Sequence, residues 1–126
     1  MIKTQSLPEK FKSTVSNGAH EIHTDAPVSK GGEGAGFGAH DLLEAAFATC
    51  INMAVRMYAA EHAIPLEHVA TCVKLERPDS ERVVFTYALE LAGPFSSDQR
   101  RQLEHVADAC PVRQTLSKRL EFEAIP

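Results

Sequence analysis

The stretch Asp41-Leu42-Leu43-Glu44-Ala45-Ala46-Phe47-Ala48-Thr49-Cys50-Ile51-Asn52-Met53-Ala54-Val55-Arg56-Met57 decides the fold. Leu43, Ala46, Phe47, Cys50, Met53, Ala54 and Met57 recur at three- and four-residue steps, the period of one helix face. A helix is therefore expected from Asp41 to about His62. Asp41 falls in its first turn, where a negative charge suits the helix dipole. Pro65 lies just past its end, where a helix cannot easily continue. The first half is alanine-rich and apolar almost all round. Such a helix is buried by several neighbours rather than laid on a surface.

Downstream, the period changes from helical to alternating. Val69, Thr71, Val73 and Leu75 alternate, and so do Val83, Phe85, Tyr87, Leu89 and Leu91. Pro78-Asp79-Ser80-Glu81 separates them as a turn, which gives a hairpin with one buried face. Gly93-Pro94 then breaks the strand. Ser96-x-x-Gln99 has the form of a capping box, followed by Leu103, Val106, Ala107 and Cys110 at helical spacing. Pro111 ends that helix or opens another, being suited to a first helical position. Leu120, Phe122 and Ala124 alternate as a last strand.

Upstream, Phe11–Val15 and Ala19–Thr24 read as two short strands with Asn17-Gly18 turning between them. Lys30-Gly31-Gly32-Glu33-Gly34-Ala35-Gly36-Phe37-Gly38 is a glycine-rich connection. It fits neither phosphate-binding glycine pattern, so it reads as a segment that must bend sharply or approach a neighbour closely. The resulting order, β-β-α-β-β-α-(α)-β, is an α+β arrangement. The 126 residues suit a single domain, 1–126, without internal repeats.

Thirteen basic against seventeen acidic side chains give a formal net charge of −4. That balance disfavours a general role on nucleic acid or on an anionic membrane. The N-terminus lacks the apolar core of a signal peptide. The most apolar run, Ala45–Met57, falls short of the ~20 residues needed to cross a bilayer. A cytoplasmic location is expected, in which structural disulfides are disfavoured. No C-x-x-C and no H-E-x-x-H is present, and His20 with His23 would supply at most half of a surface metal site. Neither a metal nor a cofactor is expected.

The chain has three cysteines, Cys50, Cys72 and Cys110. Cys50 lies on the apolar stripe of the long helix, where a free cysteine is often an inert core residue. Cys72, mid-strand, reads the same way. Cys110 precedes a proline that can open a helix. At the cap position its sulfur would face unpaired amides, which lower a thiol pKa, and Arg113 could fold back to help.

Two of these segments resemble a known family. Asp41-Leu42-Leu43-Glu44-Ala45-Ala46-Phe47-Ala48-Thr49-Cys50 is similar to the first signature of the OsmC/Ohr superfamily, the osmotically inducible and organic hydroperoxide resistance proteins. Cys110-Pro111-Val112-Arg113-Gln114-Thr115-Leu116 resembles the second, 60 residues after the first cysteine. The resemblance implies an OsmC-like fold, an antiparallel sheet wrapped around two central helices in an intertwined homodimer. It implies a thiol peroxidase acting on organic hydroperoxides, with Cys50 the peroxidatic thiol, Cys110 the resolving thiol and a dithiol as reductant. Asp41 is the expected acidic partner, with His40 as the alternative. Leu43, Phe47, Met53 and Met57 would line the substrate's apolar pocket. The chain departs from the family pattern in having no arginine before Arg56, leaving Lys12 or Lys30 to stand in, and in carrying Gly38-Ala39 where a proline is common. The same motifs also suit a non-enzymatic dimer that binds a small apolar ligand, or a thiol redox sensor.

Overall fold

The computed structural model describes all 126 residues and divides them into two compact units, residues 1–43 and 44–126. The first unit holds a three-stranded antiparallel sheet in the order β1 (Lys3–Ser6), β2 (Ser13–Ser16), β3 (Glu21–Thr24). The β2–β3 hairpin matches the sequence expectation in place. Its connection is a four-residue loop rather than a two-residue turn, because Ser16 pairs with Glu21. Asn17 explains the loop: its side-chain oxygen accepts from the backbone N–H groups of Ala19 and His20, the local bonding that makes asparagine a turn residue. Gly18 supplies the positive φ of 95°. β1 carries no apolar alternation, and its pairing to β2 is what defines it.

The glycine-rich segment folds around one carboxylate. Asp25 is 6% exposed, and its Oδ2 accepts from the backbone N–H groups of Glu33 and Ala35 at 3.1 Å each. Gly32 is needed for close approach, since a Cβ there would sit 2.0 Å from the Ala26 carbonyl oxygen. The amides of the loop thus hold Asp25 below the usual carboxylate range, Ala35 contributing most.

Helix α1 runs from Ala39 to Glu61. In the second unit it presents Phe47, Ile51, Val55 and Ala59 to the core. These meet the covered face of the hairpin β4 (His68–Glu76) and β5 (Val84–Ala92), whose register pairs Thr71 with Leu89 and Val73 with Tyr87. Phe47 lies edge-on to both Phe85 and Tyr87, with ring centroids 5.5 and 5.7 Å apart. Two polar ties fasten the helix to β4. Leu75 N–H donates to Glu44 Oε1 at 2.6 Å, and Asn52 Nδ2 donates to the Val69 carbonyl at 3.2 Å. Helix α2 (Ser97–Asp108) begins with the expected capping box and buries Leu103 and Ala107. The short helix α3 (Pro111–Leu116) follows with Cys110 as its N-cap.

The architecture is α+β with antiparallel sheets, as the sequence indicates. Two elements are different: strand β1 stands where no strand is expected, and the expected last strand is absent. Residues 119–126 form no strand, and Leu120 and Phe122 are exposed. Alternation alone does not make a strand, because its backbone groups need a neighbour to pair with. Within this chain β4 pairs with β5 and with nothing else.

Candidate active site

The long helix and the α2–α3 corner bring two cysteines together. Cys50 lies between the buried stripe of α1 and its open side, and is half-buried. Cys110 is completely buried. Their thiols are close enough to hydrogen-bond. The third cysteine, Cys72, is exposed on the open face of the hairpin, opposite Ala88.

The electrostatics differ from the sequence expectation for Cys110. Burial pushes its thiol up, and the nearby Cys50 thiol adds to this. The backbone N–H groups of Arg113 and Val112 pull the other way without prevailing. The cap position is therefore as expected, but its net effect is reversed, because desolvation of a fully enclosed sulfur outweighs two amide dipoles. A second difference is that an α3 amide serves the other cysteine. Val112 N–H donates to Cys50 Sγ at 3.5 Å. Pro111 has no N–H, so Val112 carries the first free amide of the helix.

Nor does the Arg113 side chain reach back to the Cys110 sulfur. Its Nη1 donates to the Asp108 carbonyl at 2.9 Å and lies 3.4 Å from Asp108 Oδ1. The same carboxylate oxygen accepts from the Tyr87 hydroxyl. That hydrogen bond, with burial assisting, holds the Tyr87 phenol above its ordinary range. Tyr87 and Asp108 were not legible as site residues. Tyr87 alternates with other apolar strand residues, and nothing local to Asp108 indicates that β5 reaches it.

The remaining expected residues fall in different surroundings. Asp41 is exposed, and its Oδ2 accepts from the Gly38 N–H at 2.7 Å, as a helix-capping carboxylate does. Lys12 is paired with Glu33 at 2.8 Å. Phe47 is in the core, whereas Leu43, Met53 and Met57 are exposed. Glu44 bonds to the β4 backbone.

The sequence profile of the OsmC-like protein family matches residues 31–124. The chain belongs to the OsmC-like family. No curated protein sequence matches it. Solved OsmC-like structures share its fold. A putative osmotic stress induced and detoxification response protein from Psychrobacter arcticus superposes with a TM-score of 0.77 at 23% identity, over 90% of this chain and 85% of the other. An OsmC-like protein from Mycoplasma pneumoniae gives 0.75 at 21% identity, over 92% and 85%. An organic hydroperoxide resistance protein OsmC from Legionella pneumophila gives 0.66 at 22% identity, over 93% and 88%. No helix of this OsmC-like chain is long and apolar enough to cross a membrane.

Proposed function

We propose that this OsmC-like protein is a thiol-dependent peroxidase that reduces organic hydroperoxides, with Cys50 as the peroxidatic thiol and Cys110 as the resolving thiol. The observation that carries this reading is the pairing of a half-buried Cys50, facing the Val112 amide, with a fully enclosed Cys110 at hydrogen-bonding range. Two thiols in contact can close a disulfide without moving the backbone far. The name of the Legionella relative, an organic hydroperoxide resistance protein, lends the substrate class.

The chemistry divides into three steps. The Cys50 thiolate attacks the terminal oxygen of the hydroperoxide, the O–O bond breaks, and the alkoxide takes a proton to leave as alcohol. Cys50 becomes a sulfenic acid. The Cys110 sulfur then attacks the Cys50 sulfur. The sulfenic hydroxyl departs with the Cys110 proton as water, leaving a disulfide. An external dithiol returns both thiols by exchange. The Val112 N–H is directed at the Cys50 sulfur that makes the first attack. Cys110, held neutral by burial, keeps its proton until the second step needs it.

Asp41 is proposed to act in this reaction only through its hold on the start of α1. A homodimer is part of the reading: Leu43, Met53 and Met57 form an exposed apolar set on α1, a surface of the kind that partner chains cover. The test is consumption of cumene hydroperoxide with a dithiol reductant. The parent protein is expected to turn over, and Cys50→Ser to lose activity at least about a hundredfold. Cys110→Ser is expected to stop after one equivalent and to accumulate a sulfenic acid that dimedone traps. Undiminished turnover by Cys50→Ser would defeat the proposal.

A further inference from the structure

The corner that carries Cys110 is tied down by side chains from three elements. Asp108 ends α2. Its carboxylate accepts from the Tyr87 hydroxyl on β5, and it lies 3.4 Å from Arg113 Nη1 on α3. The same guanidinium nitrogen donates to the Asp108 carbonyl at 2.9 Å, and Gln114 Nε2 donates to the Ala109 carbonyl at 3.0 Å. The last carbonyls of α2, which lack helical partners of their own, are thus held by side chains of the helix that Cys110 caps. The Tyr87 ring is in turn fixed edge-on against Phe47, one turn before Cys50 on α1.

We propose that Asp108, gripped by Tyr87 and Arg113, is a positioning residue that holds the Cys110 sulfur in place to form a disulfide with Cys50. This rests on the thiol-pair reading of the site. Two physical arguments support it. The Asp108–Arg113 pair is half-exposed on both sides, at 58% and 50%, and pairs that exposed add little to global stability. Its leverage is local instead, because only Ala109 separates Asp108 from Cys110. Disulfide geometry is demanding in separation and dihedral angle, so a small rotation of this corner shifts the thiol pair more than it shifts the fold.

The position of Asp108 also gives the grip a direction. Tyr87 reaches it from the hairpin under α1, and Arg113 reaches it from beyond Cys110. The carboxylate therefore connects the element that packs against the Cys50 helix with the element that carries the other cysteine. Removing only the Tyr87 hydroxyl cuts that connection while leaving the ring against Phe47.

The test is the equilibrium between the reduced pair and its disulfide in glutathione buffers, read on the full chain bearing Cys72→Ser so that only the pair reacts. Glutathione disulfide oxidises the pair, each cysteine losing its hydrogen, and is itself reduced to two glutathione thiols. Asp108→Ala is expected to lower the effective concentration of the pair at least tenfold, a shift of about 30 mV toward easier reduction. Tyr87→Phe is expected to lower it about threefold with an unchanged melting temperature. Asp108→Asn, which still accepts from Tyr87, should recover part of the loss. A merely structural role would lower melting temperature and leave the redox equilibrium alone. If both Asp108→Ala and Tyr87→Phe stay within twofold of the parent, the positioning role is overturned. A parent that forms no Cys50–Cys110 disulfide overturns the thiol pair and this role together. A parent that forms it, shows the graded loss and yet consumes no hydroperoxide overturns only the peroxidase reading and supports the positioning role.

Discussion

The backbone N–H of Val112 points at the sulfur of Cys50 from 3.5 Å, across 62 positions of sequence. The segment that follows one cysteine therefore serves the other. Pro111 makes this possible by supplying no donor of its own, so that the amide after it is the first one free. The consequence is an asymmetric pair: Cys50 is reachable and faces an amide, while Cys110 is enclosed and kept protonated by desolvation.

That asymmetry predicts an order of reaction with iodoacetamide. Cys72, exposed on the open face of the hairpin, should be modified first, Cys50 second and Cys110 last. At pH 7.5, peptide mapping by mass spectrometry should find Cys110 slower than Cys72 by at least roughly tenfold, since the thiolate is the reacting species and access is limited. Equal rates at Cys50 and Cys110 would contradict the enclosed geometry.

The raised Cys110 thiol also predicts a pH dependence of stability. A group whose folded pKa lies above its unfolded value leaves the unfolded chain with fewer protons in the interval between the two. Stability then falls as pH rises. The reduced protein should hold its urea midpoint up to about pH 8.5, the ordinary thiol value, and lose ground above it. Cys110→Ala should flatten that decline between pH 8 and 9.5.

Asp25 carries the opposite sign. The amides of Ala35 and Glu33 depress its pKa, so its contribution is complete above the ordinary carboxylate range of about 4 and disappears as pH falls through the lowered folded value. Hydrogen exchange of the Glu33 and Ala35 amides should quicken, relative to the hairpin strands, as the carboxylate is protonated. An Asp25→Asn chain should show those amides already less protected at pH 7, with less further change on acidification.

Core and cap residues of α2 should separate by size of effect. Leu103 is fully buried, and Leu103→Ala should cost about 2–5 kcal/mol, as removal of a packed leucine does. Ser96→Ala removes an acceptor for the Gln99 N–H and should cost about 1 kcal/mol. Urea denaturation of the two variants against the parent reads both values, and equal losses would contradict this division between packing and capping.

Much of this fold is legible in local pattern. Helix α1 and the β4–β5 hairpin lie where their three-to-four and two-residue periods place them. The helix, however, buries a neighbouring stripe, Phe47, Ile51, Val55 and Ala59, and leaves Leu43, Ala46, Met53 and Met57 of the expected stripe exposed. An alanine-rich helix that is apolar almost all round does not mark which side the hairpin covers. The Ser96 capping box and the Cys110-Pro111 helix start are legible because their partners lie within four residues. The glycine segment is legible as a connection. Its centre is not, because Asp25 stands outside the segment and the amides that bind it recur at no sequence period. No strand forms over the expected Leu120–Ala124 stretch, because alternation reports two faces and says nothing of an available edge.

The site divides in the same way. Sequence by itself singled out the two cysteines proposed to carry the chemistry, one on the long helix and one at a helix start. Only the tertiary structure decided what each cysteine experiences. It enclosed Cys110 and so reversed the pKa effect of its cap. It gave the Val112 amide to Cys50, and it drew Tyr87, Asp108 and Arg113 into one grip on the corner between them. The physical reason is range. Helix starts and apolar faces are set by neighbours a few residues apart, whereas desolvation and the direction of an amide depend on packing between segments that are distant in the chain.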